Sequence, residues 1–341
     1  MLEDDGGPCL RADGAPVPVL ALGVALAAPL ADARDRRDLP AVQPCRVAPR
    51  LTTGDVRAIV RRAGRVRLEN KAAALEAQIE ALGAEQALFA ALLDAAGYSR
   101  NRRPCAALAV RVPIGQLHDL LAGKGAGRAE AIAGGVLLGL AGLLPVDPED
   151  PLQRLWANYT DLWPLPPLRP DDWARASVRP ANRPELRLAG VAALVARGTR
   201  DGLAPTLLAP LRRGDAGALV AALEVHAAAG RGASDAPSAK TPPIGRGRAA
   251  EMAINVVVPF ALALARSDRD AELEQCAWRV VEGLPMGEDS EPQREVLAIL
   301  RGSGHRLRAL GALDGQGLLR LHRAHCGVHA CWDCPLASGE P

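Results

Sequence analysis

Val56, Ile59, Val60, Ala63, Val66, Leu75, Ile79 and Leu82 recur at helical spacing, with no proline to interrupt them between residues 56 and 82. An apolar period of three to four residues marks a helix with one buried face. Thr52, Thr53 and Asp55 supply a start for it. The chain is 49% hydrophobic but only 3% aromatic, so Ala, Leu and Val must fill its core. That composition suits close-packed helices and excludes a disordered chain.

The same pattern continues along most of the 341 residues, a length sufficient for two domains or one large helical one. A second helix is predicted over 84–96, stopping at Gly97, and Pro104 and Pro113 sit where helices begin. Further helices are predicted over 114–122, 128–144, 149–162, 170–177, 184–198, 203–212, 216–228, 248–266, 270–283, 291–302 and 314–325. "GRGASDAPSAKTPPIGRG" (230–247) reads as a flexible loop between helical segments 46–229 and 248–341. Gly135 and Gly139 are spaced to let two helices approach closely.

Residues 1–45 break the pattern. "CLRADGAPVPVLALGVAL" (9–26) reads as two strands around an Asp13-Gly14 turn. A hairpin alone is barely stable in water, and no convincing partner strand follows. The expectation is a β-hairpin remnant whose sheet lies upstream. The fold class expected is therefore mainly α: a multi-helical domain with a short N-terminal β-hairpin remnant and a Cys-rich C-terminal tail.

That tail, "HRAHCGVHACWDCP" (322–335), concentrates three cysteines and three histidines. Cys331 and Cys334 form a Cys-x-x-Cys knuckle, which can aim two thiolates at one ion. With Cys326 and His329 they make the expected ligand set for a structural zinc. His325, His322 and Cys276 are reserves, and an iron–sulfur cluster is disfavoured by the shortage of thiolates. The plain alternative is three reduced thiols with no ion.

Charge is balanced globally, with 41 basic and 39 acidic residues and a net +2. Locally, residues 46–71 carry eight basic and two acidic side chains, and 98–111 carries four arginines and no acid. Such clusters attract phosphate or simply solvate a helix face. Arg179 and Arg187 flank a predicted helix start, where free N–H groups favour anions. Arg100 and Asn101 were expected to join Arg179, Asn182 and Arg187 in one nucleic-acid-binding surface. Asn182 and Glu185 also fit a plain capping box. Asn255, four residues before Pro259, is expected in a kinked core helix with its side chain bonded to nearby backbone.

Seven cysteines, an odd number with three of them close together, indicate a reducing compartment. The acidic opening "MLEDDGG" lacks the positive charge of a secretory signal. The apolar run 131–145 falls short of the roughly 20 residues that span a bilayer. A cytoplasmic protein without membrane attachment is expected.

Four pieces, "EQALFAALLDAAGYSRNRRP" (85–104), "SVRPANRPELRLAGVAAL" (177–194), "IGRGRAAEMAINVVVPFALALA" (244–265) and "HCGVHACWDCPL" (325–336), together resemble the bacterial domain-of-unknown-function family 2851. The resemblance names no reaction. It implies a preceding α/β segment with acidic and His-containing, nuclease-like motifs, which this chain would lack. Cys105 stands where relatives tend to have an aromatic. Catalytic patterns are absent: no nucleophile–base pair, glycine-rich phosphate loop or H-E-x-x-H. Two functions are expected on these grounds. One is a helical nucleic-acid-handling module of a nuclease-like protein; the other is a metal-stabilised helical protein-interaction domain. Any enzymatic activity is assigned to the missing segment.

Overall fold

The computed structural model describes residues 47–98, 100–175, 180–226, 241–287 and 289–339. The predicted hairpin lies outside them, as do Arg179 and most of the 230–247 segment. The described residues belong to one unit beginning at Val47. They are predominantly helical, and their only β pairing consists of the isolated bridges Val225–Ile244 and Pro285–Gly311.

The long helix α1 (Thr53–Leu82) organises the unit. Thr52 caps it reciprocally with Asp55, each side chain accepting from the other's backbone N–H. After Gly83, α2 (Ala84–Gly97) turns back along it, followed by α3 (Arg102–Arg111), α4 (Ile114–Leu121), α5 (Ala126–Leu140) and α6 (Pro151–Ala157). Then come α7 (Pro184–Arg197), α8 (Leu203–Arg212) and α9 (Ala216–Leu223). A third group comprises α10 (Arg246–Met252), a π-helical turn (Ala253–Val257), α11 (Val258–Asp268), α12 (Ala271–Gly283) and α13 (Glu291–Gly302). The chain ends in α14 (Ala312–Leu321), a second π-helical turn (His322–Cys326) and the short α15 (Pro335–Ser338).

One core draws on residues from both sides of the 230–247 segment. Phe89 and Phe260 are fully buried in it, each worth about 2–3 kcal/mol of burial. α14 crosses α1 at backbone contact: a Cβ on Gly64 would overlap the Leu313 carbonyl oxygen, and one on Gly317 the Val60 carbonyl oxygen. Gly139 likewise leaves room for the Trp156 ring, so the expected close approach is made by α5 and α6.

Several predicted helices are shorter than expected, among them 216–228, which ends at Leu223 before the Val225–Ile244 bridge. The 149–162 helix ends at Ala157, and 170–177 is reduced to a single turn (Pro170–Asp172). Tertiary bonds displace the second: Trp173 Nε1 donates to the Ala141 carbonyl at 2.8 Å, and Asn101 pairs with both backbone groups of Ala174 at 2.7 and 3.1 Å. The helix Arg246–Asp268 is long and apolar enough to cross a membrane, which the 131–145 run is not. However, 78% of its apolar window is buried inside the protein.

Burial and backbone hydrogen bonds hold the tail. Cys334 and Leu336 join a smaller core with Val47, Leu51, Leu300 and Leu321. Ala48 N–H donates to the Leu336 carbonyl at 2.8 Å, and Arg50 to the Ser338 carbonyl at 2.7 Å.

Candidate ligand-binding cleft

α1, α2 and α3 converge with the α10–π-turn segment around an open cleft of about 1270 Å³. Small apolar side chains form its walls: Ala74 and Leu75 from α1, Ala91 and Ala95 from α2, Ala106 and Ala109 from α3. Exposed Leu82 and Val110 line it too. Polar side chains line it as well: Lys71, Tyr98, Arg102, Arg248, Glu251 and Asn255 form one group, and Gln78, Glu85, Gln86 and Asp94 are spread along α1 and α2.

The local backbone explains the gathering. Pro259 has no N–H to donate back toward residue 255. The helix accommodates this with a π-helical turn over Ala253–Val257, in which Val258 N–H reaches the Ala253 carbonyl. Asn255 sits at the middle of that turn and donates to the Glu251 carbonyl at 3.0 Å, the backbone bond expected of it. The same nitrogen donates to Glu251 Oε2 at 2.7 Å. Because a carboxylate only accepts, the amide nitrogen must face Glu251 and the oxygen must face Lys71. Lys71 Nζ donates to that oxygen. Gln316 Nε2 approaches it at 3.4 Å, and Arg67 Nε donates to Gln316 Oε1 at 2.8 Å.

Electrostatics around Lys71 are unusual. Burial first, then Arg67, Arg323 and Arg102, together push the Lys71 amine down from 10.5 to about 7 against the opposing charge of Glu251. Arg67 is itself brought down to about 10 by burial and by Arg323 and Arg320. Arg102 is neutralised by a bidentate pair with Asp94 at 2.6 and 2.7 Å. Arg248 stacks on the Tyr98 ring at 3.9 Å, and its Nε is buried with no hydrogen-bond partner. Tyr98 holds a positive φ of 51°, a strained conformation for a non-glycine residue. Its hydroxyl accepts from Arg187 at 3.0 Å. The arrangement can receive an anion: it offers an unmatched donor at Arg248 and an amine ready to take up a proton.

The arginine surface read from the sequence takes another form. Arg187 is 6% exposed and spends its donors on the Pro243 carbonyl, Asn182 Oδ1 and the Tyr98 hydroxyl. Asn182 therefore serves Arg187 rather than a capping box, and Glu185 pairs with Arg175 at 2.6 Å. Asn101 is buried against Ala174, and Arg100 is exposed in the turn before α3. Some α1 arginines are engaged within the fold: half-buried Arg57 and Arg61 meet buried Asp314, and exposed Arg65 stacks on Trp278 at 4.1 Å. Arg57, Arg61, Arg62 and Arg65 line one groove with Glu282, and Arg179 lies outside the described residues.

Nor does the tail assemble the expected ligand set. His329 and Cys331 are exposed, Cys326 is half-buried and Cys334 is buried in the smaller core. His322 pairs with Glu295 at 2.8 Å. Among the described residues, no three His, Cys, Asp or Glu side chains are placed to hold one metal ion. Cys105 packs in the core, where burial pushes its thiol up to about 12 and leaves it inert.

Sequence reasoning singled out Asn255 but missed Lys71, Glu251, Arg248 and Gln316. A signal for Lys71 was present. It continues the buried stripe of Val60, Gly64 and Leu68, yet it also ends a run of basic residues, where it reads as one more solvated charge.

No curated protein and no solved structure matches the chain. A family model matches residues 2–290. Three of the four resembling pieces fall within it, and the Cys-rich tail lies beyond it. The match takes in residues 2–45, so the expectation that this chain lacks the family's N-terminal segment is not borne out. The chain belongs to the family described as protein of unknown function DUF2851.

Proposed function

We propose that this chain is a helical binding module that takes an elongated ligand with an apolar body and one anionic end. The observation that carries the reading is the half-buried amine of Lys71, set among Arg248, Glu251 and Asn255 in a cleft walled largely by alanine and leucine. Pockets of this kind are mostly apolar, with a few placed polar groups that fix orientation. A carboxylate or phosphate at the Lys71 end would meet the unmatched Arg248 Nε and draw a proton onto the amine. The apolar body would lie on the alanine walls toward Leu82 and Val110.

The test is calorimetric titration of the full chain with dodecanoate, with dodecanol, and with a short single-stranded oligonucleotide. Binding of dodecanoate, reduced about tenfold or more in Lys71→Met and absent for dodecanol, supports the reading. Equal binding of dodecanoate and dodecanol removes the anion requirement. Salt-sensitive binding of the oligonucleotide alone returns the function to nucleic-acid handling, for which the exposed Arg62, Arg100 and Arg103 would supply phosphate contacts.

A further inference from the structure

The tail places two thiols in unequal positions on one turn. Cys331 opens a 3₁₀ turn (Cys331–Asp333) and is exposed. Cys334 closes it, donating its backbone N–H to the Cys331 carbonyl at 3.3 Å, and is 2% exposed. A turn closed in this way holds its end Cα atoms within about 7 Å, the range from which a disulfide can form. Burial pushes the Cys334 thiol up, partly offset by the backbone N–H groups of Leu336 and Ala337 that face its sulfur, so Cys334 is the less reactive of the two. Trp332, between the two cysteines, is 83% exposed, and nearby Val328 is 63% exposed. This corner of the surface therefore offers apolar contact beside an accessible thiol. No disulfide joins Cys331 and Cys334 in the structure.

We infer that Cys331 and Cys334 are a redox-active dithiol, with Cys331 as the attacking thiol and Cys334 as the resolving one, acting on a disulfide substrate. This half-reaction balances without a metal or cofactor. The Cys331 thiolate attacks one sulfur of the substrate disulfide; a Cys331–substrate bond forms, the substrate S–S bond breaks, and one thiolate leaves. Cys334, giving up its proton, then attacks the Cys331 sulfur; the Cys331–Cys334 bond forms and the second substrate thiolate leaves. Two electrons and two protons pass from the protein to the substrate. The division of labour follows from exposure: an incoming disulfide meets Cys331, and only a sulfur already bonded to Cys331 lies within reach of Cys334. This site is independent of the cleft.

The experiment uses the reduced full chain and oxidised glutathione, with alkylation, peptide mapping and zinc analysis. The wild type is expected to lose both thiols together, form a Cys331–Cys334 bond and release two glutathiones. Cys334→Ala should stop with glutathione attached at Cys331. Cys331→Ser should leave Cys334 at least about tenfold less reactive than Cys331 is in the wild type. Since Cys334→Ala opens the smaller core, the wild-type mapping and the exposed Cys331→Ser change stand without it. A lasting glutathione adduct on wild-type Cys331, a bond mapped to Cys326, or unchanged reaction in Cys331→Ser would each overturn the assignment. So would stoichiometric zinc that must be removed before either thiol reacts.

Discussion

Lys71 on α1 donates to the side-chain oxygen of Asn255, at the centre of the π-helical turn that precedes Pro259. The bond spans 184 positions of sequence and joins the two walls of the cleft. It exists because a proline forces one helix to widen, and the widened turn offers an amide to a lysine on the buried stripe of another.

Stability should depend on this lysine with a definite sign. Its folded-state value of about 7 lies below the 10.5 of an ordinary lysine. Between those values the unfolded chain binds more protons, so stability rises as pH climbs through the window and is lost as pH falls back toward 7. Lys71→Met should therefore be more stable than the wild type at pH 6 by about 1–3 kcal/mol, with the gap closing toward pH 10. Urea unfolding across that range measures it; a constant gap would refute the account.

The crossing of α1 and α14 should tolerate no side chain at either glycine. Gly64→Ala and Gly317→Ala each drive a methyl into a carbonyl oxygen of the facing helix. Each should cost about 3 kcal/mol or more, read as a lowered midpoint in urea. Gly127→Ala, where a Cβ meets open space, serves as the control and should be neutral or stabilising.

Asp314 has no exposed side-chain surface, accepts from the Gly311 backbone N–H at 2.9 Å and faces Arg57 and Arg61 at 3.2 and 3.8 Å. Removing it leaves the part-buried Arg57 guanidinium without a carboxylate, while Arg61 keeps only its pair with Glu282. Asp314→Ala should cost about 3–5 kcal/mol, while Asp314→Asn, which keeps the hydrogen-bond acceptor, should cost less. Equal losses for the two variants would show that the charge contributes nothing.

Much of the helical fold was legible in the sequence because its signals are local. Thr52 and Asp55 announced the start of α1, and Gly97 announced the end of α2. The reading failed where distant partners decide. Trp173 and Asn101 pull residues 173–174 out of helix, and nothing near them in sequence says so. The candidate site was half legible for the same reason. Asn255 stands out as a polar residue in an apolar helix, but its partners come from α1, α10 and α14. Arg187 misled because its position before an apolar run suits an anion site, whereas its three oxygen partners are all internal. Cys331 and Cys334 carry a spacing that serves a metal or a dithiol equally; burial, which separates them, cannot be read from spacing.

Ligand affinity should follow the protonation of Lys71. An anion binds the charged amine, so the affinity for dodecanoate should fall by up to about tenfold per pH unit above pH 7. Lys71→Met should show no such slope. A wild-type profile flat from pH 6 to 9 would detach the cleft from the lysine.

The most direct measurement is a carbon-13 titration of the Lys71 Cε resonance in the full chain, without and with saturating dodecanoate, assigned through Lys71→Met. The account predicts a free midpoint near 7 that rises by about one unit or more when the carboxylate is bound. A midpoint near 10.5 without ligand, or one near 7 that dodecanoate leaves unmoved, would contradict it.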